Sequence, residues 1–270
     1  MGYDPLWAAL AMTTLAGLAT GLGGLLVLWV RPSQKMLGVS LGFAAGVMLA
    51  ISLSDLLPGA LRFYESRYSG WGAGCVTASL LLAGMALAGL VSALLPEESA
   101  LLGRMVGARE ANGGEAGLSR ARALHCGLAV GLAMLLHNLP EGILTLFNGV
   151  YDLRAGMRLS LAIALHNLPE GISVAAPLWY ATHRRGVSAG VAFASGLAEP
   201  VGALLAYGLL VKRLNETMLN AMTLTAAGMM CWVSVAELLF GGFELEKKGC
   251  TAAGFAVGVC GMTLGIALLA

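Results

Sequence analysis

The chain has 270 residues, of which 58% are hydrophobic and only 11% charged, against about 25% charged in a soluble globular domain. With a mean hydropathy of +0.80, this composition excludes a water-soluble fold and leaves an all-α polytopic membrane protein. The formal charge of +1 is made by scattered basic residues rather than a patch, so nothing points to nucleic acid.

A membrane-crossing helix needs roughly 20 apolar residues. Eight runs qualify, at about 5–30, 37–60, 71–95, 123–147, 156–180, 187–211, 217–240 and 251–270. The start of the chain lacks the basic region and cleavage site of a secretory signal, so the first run is read as a retained helix. The 38 glycines suit helices that approach one another closely. Cys75, Cys126, Cys231, Cys250 and Cys260 have no paired spacing and are expected to be small buried hydrophobes.

The second run carries Met48 and Asp55. After the third, residues 96–122 read as a flexible linker, with Ala111-Asn112-Gly113-Gly114-Glu115 at its centre and no histidine or cysteine run to capture metal. The chain then divides into three helices (1–95), the loop (96–122), two helices (123–180) and three more (187–270). His125 is expected to cap a helix or sit at the interface, and His183, beside Arg184 and Arg185, to belong to a solvated basic turn.

The fourth and fifth runs carry identical hexapeptides, His137-Asn138-Leu139-Pro140-Glu141-Gly142 and His166-Asn167-Leu168-Pro169-Glu170-Gly171. The likeness extends over twelve residues, ten of them identical. A histidine and a glutamate four apart share one helix face, and the intervening asparagine points about 100° round from the histidine. Each proline withholds an N–H, which leaves the carbonyl of Leu136 or Leu165 without its helical partner. Two such helices face to face would converge imidazoles, carboxylates and amides on one spot. Ionisable groups at this depth are costly and usually functional. One alternative is that each His–Glu pair only staples its own helix. A divalent cation balances the buried charge more economically, and N and O donors without thiolates suit zinc and other first-row metals rather than Cu(I).

In the sixth run Glu199 precedes Pro200, which releases the carbonyl of Gly196 and places another acid at mid-span. In the seventh, Gly228 to Leu239 repeats Gly46 to Leu57, with glycine, methionine, serine, acidic residue and Leu-Leu in register; Asp55 aligns with Glu237. The two segments cross the membrane in opposite senses, as in transporters built from inverted repeats. Ten Lys and Arg follow the odd-numbered helices and six the even-numbered ones, which places both termini outside. The inventory of Glu141, Glu170 and Glu199 with two imidazoles and two amides suffices for two adjacent divalent ions sharing bridging carboxylates.

The twin His-Asn-Leu-Pro-Glu-Gly motifs on consecutive helices, followed by Ala198-Glu199-Pro200, resemble the ZIP family of divalent-metal transporters, and more narrowly its bacterial GufA-like branch. The resemblance implies eight helices in a 3 + 2 + 3 arrangement whose outer triplets form an inverted repeat. It also implies a homodimer in the bacterial inner membrane, with periplasmic or extracellular termini. Zn²⁺, or Cd²⁺, Fe²⁺ and Mn²⁺, would be moved towards the cytoplasm as cargo, with no resident cofactor and no enzyme activity. By resemblance, one metal takes His137, Glu141 and Glu170, with Met48 nearby and His166 possible. The second takes Asn138, Glu141, Asn167, Glu170 and Glu199. Helices 1, 4, 5 and 6 would move as a unit against 2, 3, 7 and 8, leaving Asp55 and Glu237 on the path or at the interface. Some relatives have aspartate where this chain has Asn167, and the histidine-rich loop of eukaryotic relatives is missing.

Two rivals share these ligands. A passive metal channel would show flux nearly linear in concentration. An intramembrane zinc hydrolase would activate water, but the His-Glu-x-x-His pattern of metalloproteases is absent. Because a ligating histidine must be neutral and a glutamate ionised, metal binding should weaken as the pH falls from about 8 to about 5. A flat binding profile over that range in folded protein would remove His137 and His166 from the ligands.

Overall fold

The computed structural model describes residues 5–30, 33–96, 100, 103–104, 114–210, 215–245 and 249–269, and every regular element among them is helical. Eight helices are long and apolar enough to cross a membrane: α1 (Pro5–Trp29), α2 (Gln34–Glu65), α3 (Gly72–Ala93), α4 (Gly114–Tyr151), α5 (Leu153–Thr182), α6 (Arg185–Leu209), α7 (Glu216–Leu245) and α8 (Cys250–Leu268). Eight crossings put both chain ends on one face, called here the termini face; the opposite face carries the α3–α4 connection and is called the loop face.

The spans agree with the sequence reading in number and order. The difference is in α4, which begins at Gly114, so that residues 114–122 of the expected linker are helical. Residues 97–99, 101–102 and 105–113 of that linker lie outside the described part. So do Arg31, Lys212, Arg213, Lys247 and Lys248 of the charge count. His125 does not cap a helix, because α4 runs through it. His183 does end α5, exposed and in the left-handed region at φ 55°. Of the cysteines, Cys126 and Cys231 are buried as expected, whereas Cys75 and Cys260 are exposed on α3 and α8, the two helices least covered by the rest of the chain.

Small residues decide which helices touch. A Cβ on Gly142 of α4 would overlap the carbonyl of Glu199 on α6, and one on Gly171 of α5 would overlap the carbonyl of Thr20 on α1. With no hydrophobic drive between helices in lipid, such backbone-to-backbone approach is what holds them. Thus α1, α4, α5 and α6 pack on one another. Outside this group α2 pairs with α8, where Gly46 meets the backbone of Phe255, and α7 pairs with α3, where Gly228 meets that of Leu81. The two groups meet where α2 lies against α5 and α7 against α4.

The repeat between α2 and α7 reaches the backbone itself. Residues Ser52–Leu56 and Val233–Leu239 are both π-helical, at aligned positions, and Ser52 Oγ donates to Met48 O (2.8 Å) as Ser234 Oγ donates to Met230 O (2.7 Å). Wide turns of this kind inside α-helices often mark functional positions. Asp55 and Glu237 sit on these two turns. Helix α6 is interrupted at Leu197, between Arg185–Gly196 and Ala198–Leu205, three residues before Pro200, where the ring removes a ladder hydrogen bond.

Gly171→Ala is expected to destabilise the protein by about 1–3 kcal/mol or more, the usual cost of overpacking. Gly190→Ala, with open space around it, should be near neutral. Thermal unfolding of the two detergent-purified variants checks this.

Candidate metal site between the fourth and fifth helices

Helices α4 and α5 lie against each other, and each hexapeptide is an unbroken stretch of helix despite its proline. His137, Asn138, Asn167 and Glu170 are fully buried, and His166 and Glu141 nearly so. The histidine–glutamate pairs form between the helices: His137 Nε2 is 3.5 Å from Glu170 Oε1, and His166 Nε2 is 3.5 Å from Glu141 Oε1. The alternative in which each pair staples its own helix therefore does not describe this molecule. The two motifs face each other and exchange partners.

The backbone fixes both imidazoles in one tautomer. His137 Nδ1 lies 3.0 Å from the carbonyl of Ala133, and His166 Nδ1 lies 2.9 Å from that of Ala162. A carbonyl only accepts, so Nδ1 carries the proton and the Nε2 lone pair is turned towards the carboxylates. A lone pair facing an anion inside a membrane protein is repulsive. A proton, on the ring or on the carboxyl, or a metal ion has to lie between them.

The amides brace the site from outside. Asn138 Nδ2 donates to Ser195 O on α6 (3.1 Å), and Asn167 Nδ2 donates to Ala16 O on α1 (2.9 Å) and also to Glu199 Oε1. Each asparagine thus spends its N–H groups on a neighbouring helix and turns its oxygen inward. The result is a set of buried donors without partners: Nε2 of both histidines, Oε2 of Glu141, both oxygens of Glu170, Oε2 of Glu199, and Oδ1 of Asn138 and Asn167. Unsatisfied buried polar atoms are rare in native structures, and each needs a cause. Eight of them lie around the two facing motifs, a donor set whose chemistry fits a divalent cation. Among the described residues, no three carboxylate, imidazole or thiolate groups converge on a single point.

Glu199 joins the site through Asn167, as its place beside Pro200 suggested. Met48 is fully buried in the core that holds Met134, Val174 and Met230. Asp55 lines a cavity of about 30 Å³ together with Glu141 and His166, room for about one water. A wider cavity of about 760 Å³ on the termini face shares Leu144 and Thr223 with it. On the loop face a cavity of about 800 Å³ is lined by Lys35, Glu115, Arg122 and Glu244 and includes none of the site residues. Glu237 is half-buried on its π turn, its backbone carbonyl accepting from Cys126 Sγ at 3.4 Å. The sequence reading missed the contribution of α1, whose backbone anchors Asn167. Its only advance signal was the close spacing of Gly17, Gly21, Gly23 and Gly24.

Asn167→Ala should leave the Glu199 carboxyl buried without its donor. That is expected to cost about 1–3 kcal/mol, read by thermal unfolding in metal-free buffer.

The ZIP zinc transporter family model matches residues 108–270. The chain is 36% identical to the zinc transporter ZupT of Chlorobium limicola over 98% of each chain. It is 40% identical to the ZupT of Akkermansia muciniphila, over 88% of this chain and 89% of that one. With the ZupT of Corynebacterium glutamicum it shares 36% over 96% and 98% of the two chains. These relatives carry the ZupT name, so the narrower GufA-like likeness rests on the motifs alone. The chain belongs to the ZIP zinc transporter family, whose members are transporters and not enzymes.

Proposed function

We propose that the chain moves divalent transition-metal cations, Zn²⁺ first and with it Cd²⁺, Fe²⁺ and Mn²⁺, across the bacterial inner membrane into the cytoplasm. Two ions share the α4–α5 site. His137, Glu141 and Glu170 hold one, with Met48 and His166 in reach. Asn138, Glu141, Asn167, Glu170 and Glu199 hold the other. The observation that carries this reading is the cluster of eight buried donors without partners, arranged as two crossed His–Glu pairs. In this reading the imidazoles serve one ion and the amide oxygens with Glu199 the other, the two glutamates are shared, and two neighbouring cations ease each other's release.

Each residue has a physical task. The histidines, locked by Ala133 and Ala162, present Nε2 without rotamer searching. Glu141 and Glu170 neutralise the charge and lie close enough to both positions to bridge them. The asparagines add neutral oxygens, which limits the total negative charge and keeps the ions exchangeable. Asp55 stands beside the cavity that leads from the termini face, and Glu237 occupies the matching turn of α7.

Among the described residues, the small cavity beside Glu141 and His166 shares lining with the termini-face cavity and not with the loop-face one, which supports alternating access over an open pore. In this reading α1, α4, α5 and α6, joined by backbone contacts, slide as a body against α2, α3, α7 and α8 in an elevator-type movement. The excess of Lys and Arg in the sequence after the odd-numbered helices supports reading the loop face as cytoplasmic, with both termini periplasmic and the termini-face cavity as the mouth. The exposed faces of α3 and α8 are available to lipid and to a second copy in a homodimer.

Uptake of Zn²⁺ into proteoliposomes tests the reading. Saturable uptake is expected, falling at least about tenfold in Glu141→Ala and in Glu170→Ala, at the low end of what losing a metal partner costs. Full uptake by Glu141→Ala, in protein confirmed in the membrane, would overturn the assignment.

A further inference from the structure

The site has an internal twofold that one residue breaks. Under it α4 maps onto α5 with a shift of 29 residues, and α1 maps onto α6 with a shift of 179. Asn138 donates to Ser195 O where Asn167 donates to Ala16 O. Gly142 meets the carbonyl of Glu199 where Gly171 meets that of Thr20, and Gly202 meets the carbonyl of Leu139 where Gly23 meets that of Leu168. Gly17 and Gly196 meet each other's carbonyls, so the axis passes between them. A Cβ on Gly17 would stand 3.3 Å from Glu199 Cβ, and one on Gly196 would stand 2.9 Å from Thr20 Cβ. Thr20 and Glu199 are therefore the same position in the two halves.

Their side chains differ in reach and charge. Glu199 accepts from Asn167. Thr20, fully buried, makes no hydrogen bond through Oγ1, and Asn138 Oδ1, the matching amide oxygen, makes none either. Thr13, Thr77, Thr145 and Thr251 share this lack of a hydroxyl partner; what sets Thr20 apart is its place opposite Glu199 across the twofold, with Ala16 O, four residues before it, accepting from Asn167.

We infer that Thr20 is a selectivity-determining residue of the metal site: its hydroxyl and Asn138 Oδ1 form a neutral all-oxygen half opposite the acidic half made by Glu199 and Asn167. This deepens the proposed function and rests on it. A neutral oxygen pair suits harder cations such as Mn²⁺, whereas imidazole nitrogen favours Zn²⁺. Thr20 thus widens the range of cargo, and Glu199 supplies the charge that holds it.

The test is isothermal titration of purified protein with Mn²⁺ and with Zn²⁺, beside Mn²⁺/Zn²⁺ competition in proteoliposomes. Thr20→Val and Thr20→Ala are expected to bind Mn²⁺ about tenfold more weakly with a smaller change for Zn²⁺, shifting competition towards Zn²⁺. Thr20→Ser should behave as the unsubstituted protein. Unchanged Mn²⁺ and Zn²⁺ affinities in the Val and Ala variants would overturn the inference. So would a Ser variant as impaired as Val, since that reports packing alone. If Val unfolds, as thermal melting would show, the smaller Ala variant decides. Binding that also survives Glu170→Ala would instead sink the α4–α5 site itself, which keeps the two failures apart.

Discussion

The structure depends on carboxyl groups held inside the helix bundle opposite imidazoles and amides. Glu141, Glu170 and Glu199 are buried at mid-span, the first two facing imidazole nitrogens that the backbone has turned towards them and the third accepting from Asn167. Inside a membrane protein such an arrangement is costly, and it persists only because the surrounding helices over-determine it. In the proposed function the same cost becomes affinity, since a divalent ion entering the cluster would relieve the repulsion and satisfy the open donors together.

What makes the arrangement rigid is the absence of side chains around it. Gly17, Gly142, Gly171 and Gly196 let four backbones touch, so that the carbonyls of Ala16 and Ser195 reach the two asparagines. Glycine in a helix weakens it locally, but here the close approach converts that weakness into helix–helix packing. The same contacts bind α1, α4, α5 and α6 into one body, while the glycines of α2 and α7 tie those helices to α8 and α3. Site geometry and the division into two helical groups thus share one physical origin.

The twofold explains why two hexapeptides occur. A single motif would place a histidine and a glutamate on one helix with nothing opposite. Two motifs on antiparallel neighbours put each histidine across from the other motif's glutamate. The π turns of α2 and α7, with Asp55 and Glu237 on them, form a second repeated pair, of which Asp55 lies beside Glu141 and His166. Thr20 and Glu199 break the twofold, giving two halves of unequal charge.

Much was legible in the chain alone. Hydropathy gave eight spans, because a bilayer imposes a fixed length of apolar sequence on every crossing. The twin motifs, Glu199 before Pro200, and the Gly46–Leu57 and Gly228–Leu239 likeness marked the polar groups that lie deep, because ionisable residues stand out in apolar runs. Helical periodicity put each histidine on one face with its own motif's glutamate and let the two motifs be read as facing each other; only packing decided that His137 meets Glu170 and His166 meets Glu141. It likewise could not show that α4 extends back to Gly114, or that Ala16 and Ser195 anchor the amides through carbonyls every residue possesses. The significance of Thr20 was hidden for the same reason: a threonine in an apolar helix looks ordinary until a twofold, which exists only in three dimensions, sets it opposite a glutamate.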